Sequence, residues 1–160
     1  MASGADLPTR LRFGTLLATI AGAFPFTVGT IMFVAVQISA LNPDKNWLAA
    51  QLPPGPTNPP FTYDQLAEWN ADLAVKLHVG EHIQYVNVMN AGLAVMVLSF
   101  FGVRARLKWA WYSALAIASW IGLNDSITTL LAKQLPIPLI PTLLVFIGLF
   151  TARPEIFKKP

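Results

Sequence analysis

The chain has 160 residues, of which 54% are hydrophobic and 12% charged, with a net charge of +3. A soluble domain carries roughly one charged residue in four, so this balance, with a mean hydropathy of +0.53, points to a membrane protein. The absence of cysteine excludes a disulfide framework, a thiolate metal ligand and a redox dithiol.

A single domain over 1–160, with about four helices of roughly 20 residues each, would use most of the chain. The first span is 13–40. Its apolar run is too long for the apolar region of a cleaved signal peptide, and Arg10 and Arg12 precede it, so it reads as an uncleaved helix. Pro25 inside it predicts a kink, because proline donates no backbone hydrogen bond and crowds the preceding turn. LNPDKNWLAAQLPPGPTNPP, residues 41–60, contains Pro43, Pro53, Pro54, Pro56, Pro59 and Pro60 and predicts an extended outer loop. Thr62 and Gln65 then stand at capping-box spacing, and Tyr63, Leu66, Ala67 and Trp69 predict a short helix at the membrane interface. Asn70 and Asp72 offer a second cap ahead of span two, about 77–103. Arg104 to Lys108 is a tight connection to span three, about 109–132. Span four, about 138–152, is short, with Pro136, Pro138 and Pro141 at its entrance. The expected fold is therefore all-α: a four-transmembrane-helix bundle with a proline-rich outer loop and a short interfacial helix between spans one and two.

Charge sets the expected orientation. Arg10, Arg12, Arg104, Arg106, Lys108, Arg153, Lys158 and Lys159 fall on one side of these spans, and Lys45, Lys76 and Lys133 on the other. Both termini are then expected in the cytoplasm. Trp109, Trp111 and Tyr112 predict an inner aromatic belt, and Trp47 and Trp69 an outer one. Because this asymmetry accounts for the net charge, the expected partner is the lipid bilayer and not nucleic acid.

Polar groups inside spans need a physical reason. Ala110, Ala114, Ala118, Gly122 and Ser126 recur every four residues, a small-residue ridge that lets a neighbouring helix approach. Asp125, the one acid well inside a span, lies beside that ridge and is expected to face the interior. Asn124 shares an adjoining face with Ser113, Ile117 and Trp120. On span two, His78, Glu81, His82 and Tyr85 follow the i, i+3, i+4, i+7 rule and share a face, with Asn87 and Asn90 deeper. Antiparallel neighbours bring outer halves together, so the histidine face and Asp125 are expected to meet in one extracytoplasmic pocket. The predicted ligand-binding set is His78, Glu81, His82, Tyr85, Asn87, Asn90, Trp120, Asn124 and Asp125. Gln37, Thr27 and Thr30 can add hydrogen bonds.

HVGEH, residues 78–82, supports several chemistries. Histidines four apart on a helix can hold one metal ion, and H-x-x-E-H is the order of a known zinc-protease signature. With no third histidine and no cysteine in the chain, Glu81 or Asp125 would have to complete the shell. Glu81, His82 and Asp125 are also the candidates for acid–base work on a hydrophobic substrate, a resemblance in kind to the sterol-isomerase group. A haem or chlorophyll can take one histidine as axial ligand, at His78 or His82. The plainest reading makes the histidines a polar helix rim, with Asp125 and the asparagines as interhelical hydrogen-bonding glue. None of these patterns demands a metal, a pigment or catalysis. The leading reading is a pocket for a small hydrophobic ligand: a lipid, quinone, sterol or isoprenoid. An accessory or assembly subunit of a larger membrane complex, and a membrane enzyme, stay open beside it.

From Phe61 to Trp111 the run FTYDQLAEWNADLAVKLHVGEHIQYVNVMNAGLAVMVLSFFGVRARLKWAW resembles small bacterial membrane proteins of the DoxX-like kind. The shared layout is an interfacial segment before the second helix, a glycine in that helix, and a basic turn leading to Trp-Ala-Trp, here Arg104, Arg106, Lys108, Trp109, Ala110 and Trp111. It covers about a third of the chain. The resemblance implies a four-helix bundle in a bacterial inner membrane and brings no activity with it. The histidine pair and the proline-rich loop fall outside the shared layout.

Overall fold

The structure is a computed structural model that describes residues 7–41, 63–132 and 139–158, with side chains throughout except at 35–41, 63–65, 78, 81, 128–129 and 131–132. The proline-rich loop, Thr62 and the segment 133–138 lie outside the described residues. Among the described residues all regular structure is helical: α1 Thr9–Leu41, α2 Tyr63–Trp69, α3 Ala71–Val97 running into a π-helical segment Leu98–Val103, α4 Lys108–Ala132 and α5 Leu139–Ile156.

Among the described residues three helices are long and apolar enough to cross a membrane: Thr9–Val34, Ala71–Val103 and Leu139–Ile156. At 1.5 Å per residue even α5, with 18 residues, reaches about 27 Å, close to the roughly 30 Å of a bilayer's hydrocarbon core. α4 has 25 residues but carries Asn124 and Asp125 in its second half. Side-chain size is distributed as an integral membrane protein requires. Large apolar groups such as Phe13, Leu16, Ile20, Phe101 and Leu143 point outward, while Ala18, Ala110, Ala114, Ala118 and Ala152 fill the interior. In lipid the outward Phe and Leu cost nothing, and small interior residues bring backbones close enough for dispersion to hold them.

The helices run further than the apolar stretches. α1 begins at Thr9 and not Phe13, since a polar first turn needs no lipid. It continues through Pro25 without ending. α3 begins at Ala71 and not Leu77 because Asn70 caps it: the Leu73 amide donates to Asn70 Oδ1 at 3.0 Å. α5 continues past Ala152 through Arg153 and Pro154 to Ile156.

The chain divides into two compact units, one of Met1–Thr27 with Met89–Pro160 and one of Val28–Val88. In the first, the start of α1, the end of α3, α4 and α5 share one core that includes Leu11, Ala18, Val95, Val103, Trp111 and Leu149. Two backbone crossings hold α1. A Cβ on Gly148 would stand 2.6 Å from the Gly14 carbonyl oxygen and 2.7 Å from the Ala18 nitrogen, and one on Gly14 would meet the Gly148 carbonyl in return. Likewise a Cβ on Gly92 would stand 2.8 Å from the Gly22 carbonyl oxygen, and one on Gly22 would stand 2.9 Å from the Met96 nitrogen. Only glycine permits either crossing. The ridge of α4 faces inward, with Ala110, Ala114 and Ala118 buried. Trp111, expected in the aromatic belt, turns inward too, and its Nε1 donates to the Leu149 carbonyl at 2.8 Å. A dry indole N–H needs such an acceptor.

The π-helical segment closes on Arg106, whose φ of 60° is left-handed. Leu107 N donates to the Gly102 carbonyl at 3.0 Å and Arg106 N to the Val103 carbonyl at 2.9 Å. That pair of bonds is a Schellman ending, which frees the chain to reverse into α4 within a few residues. In the second unit Leu66 and Ala74 form a small buried pair flanked by Ala67 and Leu73. The Phe33 ring there meets the His82 ring edge-on at 5.8 Å.

Candidate functional site

Within the first unit the polar groups of α4 gather around one interhelical contact. Thr142 of α5 is buried, and its Oγ1 donates to Asp125 Oδ2 at 3.5 Å, a long hydrogen bond. Gly122, one turn before Asp125, makes the approach feasible: a Cβ there would stand 2.9 Å from Thr142 Cγ2. The glycine of the ridge therefore lets the hydroxyl come beside the acid. Ser126 spends its own hydroxyl on the Gly122 carbonyl at 2.6 Å, so it does not compete for the carboxylate.

Asp125 itself is half-buried, and no cation pairs with it among the described residues. Beside it Asn124 is exposed, and Trp120 is 73% exposed. Trp120 and Asn124 are four apart and so share a face of α4, with Asp125 at its edge. The arrangement offers an amide that both donates and accepts, a carboxyl oxygen beyond the one bonded to Thr142, and a flat indole surface. These groups can hold the polar head of an otherwise apolar molecule.

Span two contributes differently. His82 and Tyr85 are half-buried, and the His82 ring packs against Phe33. His78 and Glu81 lie on α3, but their side chains fall outside the description. Asn87 and Asn90 are exposed, as is Gln84. Among the described residues no three histidine, aspartate or glutamate side chains gather as metal ligands. The histidine face belongs to the second unit and Asp125 to the first.

Thr142 went unread in the sequence. Its signal is present: a lone hydroxyl in the apolar run LIPTLLVFIGLF, on a helix that must pack against the small-residue ridge. What sequence cannot supply is the register that sets it opposite Gly122 and Asp125 and not one turn away. No protein-family model, curated protein or solved structure matches the chain, so the reading of its site rests on these side chains.

Proposed function

We propose that the chain is a four-span membrane protein, with α4 as the remaining span, that binds a small hydrophobic ligand with a polar head, such as a lipid, quinone, sterol or isoprenoid. Trp120, Asn124 and Asp125 of α4 form the site. The observation that supports this reading is the exposed Asn124 amide next to a carboxyl that, among the described residues, accepts one long hydrogen bond, from Thr142. Polar groups deep in a span are costly unless something answers them. The resemblance to DoxX-like proteins and the cation asymmetry support a bacterial inner membrane with both termini in the cytoplasm.

Native mass spectrometry on protein taken from its own membrane in mild detergent tests this directly. A bound small molecule is expected, and Asp125→Asn or Asn124→Leu should remove it while helix content and melting are kept. A clean apo species with both variants unchanged would remove the site.

A second reading, an accessory subunit of a larger complex, is favoured by Gln84, Asn87 and Asn90, three exposed amides within two turns of α3. Amides on an outward face satisfy one another across helices, contributing about 0.6 to 2 kcal/mol each. On that reading the protein purifies with a partner, and Asn87→Leu with Asn90→Leu releases it.

A further inference from the structure

One end of the first unit collects cations that carboxylates do not neutralise. The crossing of Gly14 and Gly148 sets the start of α1 beside the end of α5, with Leu11 and Ile156 in the same core. The Trp111 ring lies 5.4 Å from that of Phe157, which brings the turn before α4 to this end as well. Arg10, Arg12, Arg106, Lys108 and Arg153 are all exposed there. Among the described residues the acid at this end is Glu155, and Lys158 already occupies its carboxylate at 2.8 and 2.9 Å.

Among the described residues three cations at this end lie over rings: Arg104 Cζ is 5.3 Å from the Phe100 ring centre, and Lys108 and Arg153 share the rings of Trp111 and Phe157. Lys108 Nζ lies 5.7 Å from the Phe157 ring centre, and Arg153 Cζ lies 5.9 Å from the Trp111 ring and 6.0 Å from the Phe157 ring. A ring face attracts a cation without consuming its N–H groups, so the donors keep their capacity for an anion. It also fixes the side chains in advance and lowers the entropy lost on binding. Tyr112, 57% exposed, continues the group, its ring 5.2 Å from Trp111 and 5.6 Å from Phe157. The result is a pair of placed cations above an amphipathic aromatic flank.

The chemistry selects among the anions a membrane offers. A phosphodiester presents oxygens that a guanidinium and an ammonium can share. Among the described residues the ammonium of a zwitterionic headgroup would find no free carboxylate here, while a headgroup with net negative charge needs none. We propose that Lys108 and Arg153, held over the rings of Trp111 and Phe157, form a headgroup site for an anionic phospholipid of the adjoining leaflet. The site lies about 25 Å along α4 from Asp125, at 1.5 Å per residue. It does not depend on the ligand proposed there, only on the chain being embedded in a bilayer.

The test titrates the purified protein in mild detergent with phosphatidylglycerol and phosphatidylcholine of identical acyl chains, reading the bound fractions by native mass spectrometry. The anionic lipid should be preferred about 25-fold, about fivefold for each cation. Lys108→Gln with Arg153→Gln should bring the two lipids near parity. Arg10→Gln with Arg12→Gln removes equal charge at the same end away from the rings and should keep most of the preference. If the first double variant melts early, the single variants carry the test, each losing about fivefold. Equal binding of both lipids by the unmodified protein overturns the proposal. So does an equal loss in both double variants, which would mean diffuse attraction. Displacement of the lipid by inorganic phosphate or by poly-glutamate would assign the cations to a soluble anion or an acidic protein, and also overturns it.

Discussion

Two residues sit in positions their side chains do not favour. Ser99 is fully buried in the π-helical segment, and its Oγ has no hydrogen-bond partner among the described residues. A buried hydroxyl without a partner loses its hydration and gains nothing, so Ser99→Ala is expected to stabilise the protein by about 1 kcal/mol. The denaturation midpoint in detergent reads this, and a fall of the same size would mean that the hydroxyl is engaged in the native protein. Arg106 is left-handed at φ 60°, where a Cβ crowds its own backbone. Arg106→Gly should therefore gain about 1 kcal/mol at the same midpoint. Unchanged or lower stability would mean that its side chain contributes more than the backbone loses. Neither position was legible as such. Ser99 reads as an ordinary small residue in an apolar helix, and Arg106 as one more inner cation. Asn70 was legible, because a cap depends only on its own chain neighbours.

At the scale of helices, the decisive contacts are those that exclude a methyl group. Gly148→Ala would place its Cβ against the backbone of Gly14 and Ala18, where no flexible side chain can yield. It is expected to destabilise by roughly 1 to 3 kcal/mol. Gly80→Ala is the matched contrast, since nothing lies within 4 Å of its added Cβ. It should be neutral or gain up to about 1 kcal/mol from helix propensity. Equal effects of the two substitutions on thermal unfolding would remove the crossing as a determinant of stability. The ridge of α4 was readable from its four-residue spacing. Gly14, Ala18 and Gly22 repeat the same spacing on α1 and carry the same signal, but Phe and Leu residues around them draw attention first. The π-helical segment left no mark in the sequence, since an extra residue in a turn responds to what packs against it, here Gly102 against Ala110.

For the molecule as a whole, composition was enough to establish an integral membrane protein, because 12% charge and three long apolar helices leave little alternative. The positions of the helices followed from the same apolar runs, to within a turn or two at their ends. The site was harder to read. Periodicity names the residues that share a face on one helix, such as Trp120 with Asn124, but pairing across helices depends on register, which is why Thr142 was missed. The crossing of α1 with α5 carries a further implication, for the order of assembly. α1 leaves the ribosome before α5, and about a hundred residues pass between Leu41 and Leu139; at roughly 5–20 residues per second this takes on the order of 5 to 20 s. Through that interval the bare backbone at Gly14 faces lipid with no mate, open to any other helix with a small-residue face. α5 therefore completes this crossing late, and the newborn chain is most vulnerable to mispairing at Gly14 just before α5 emerges.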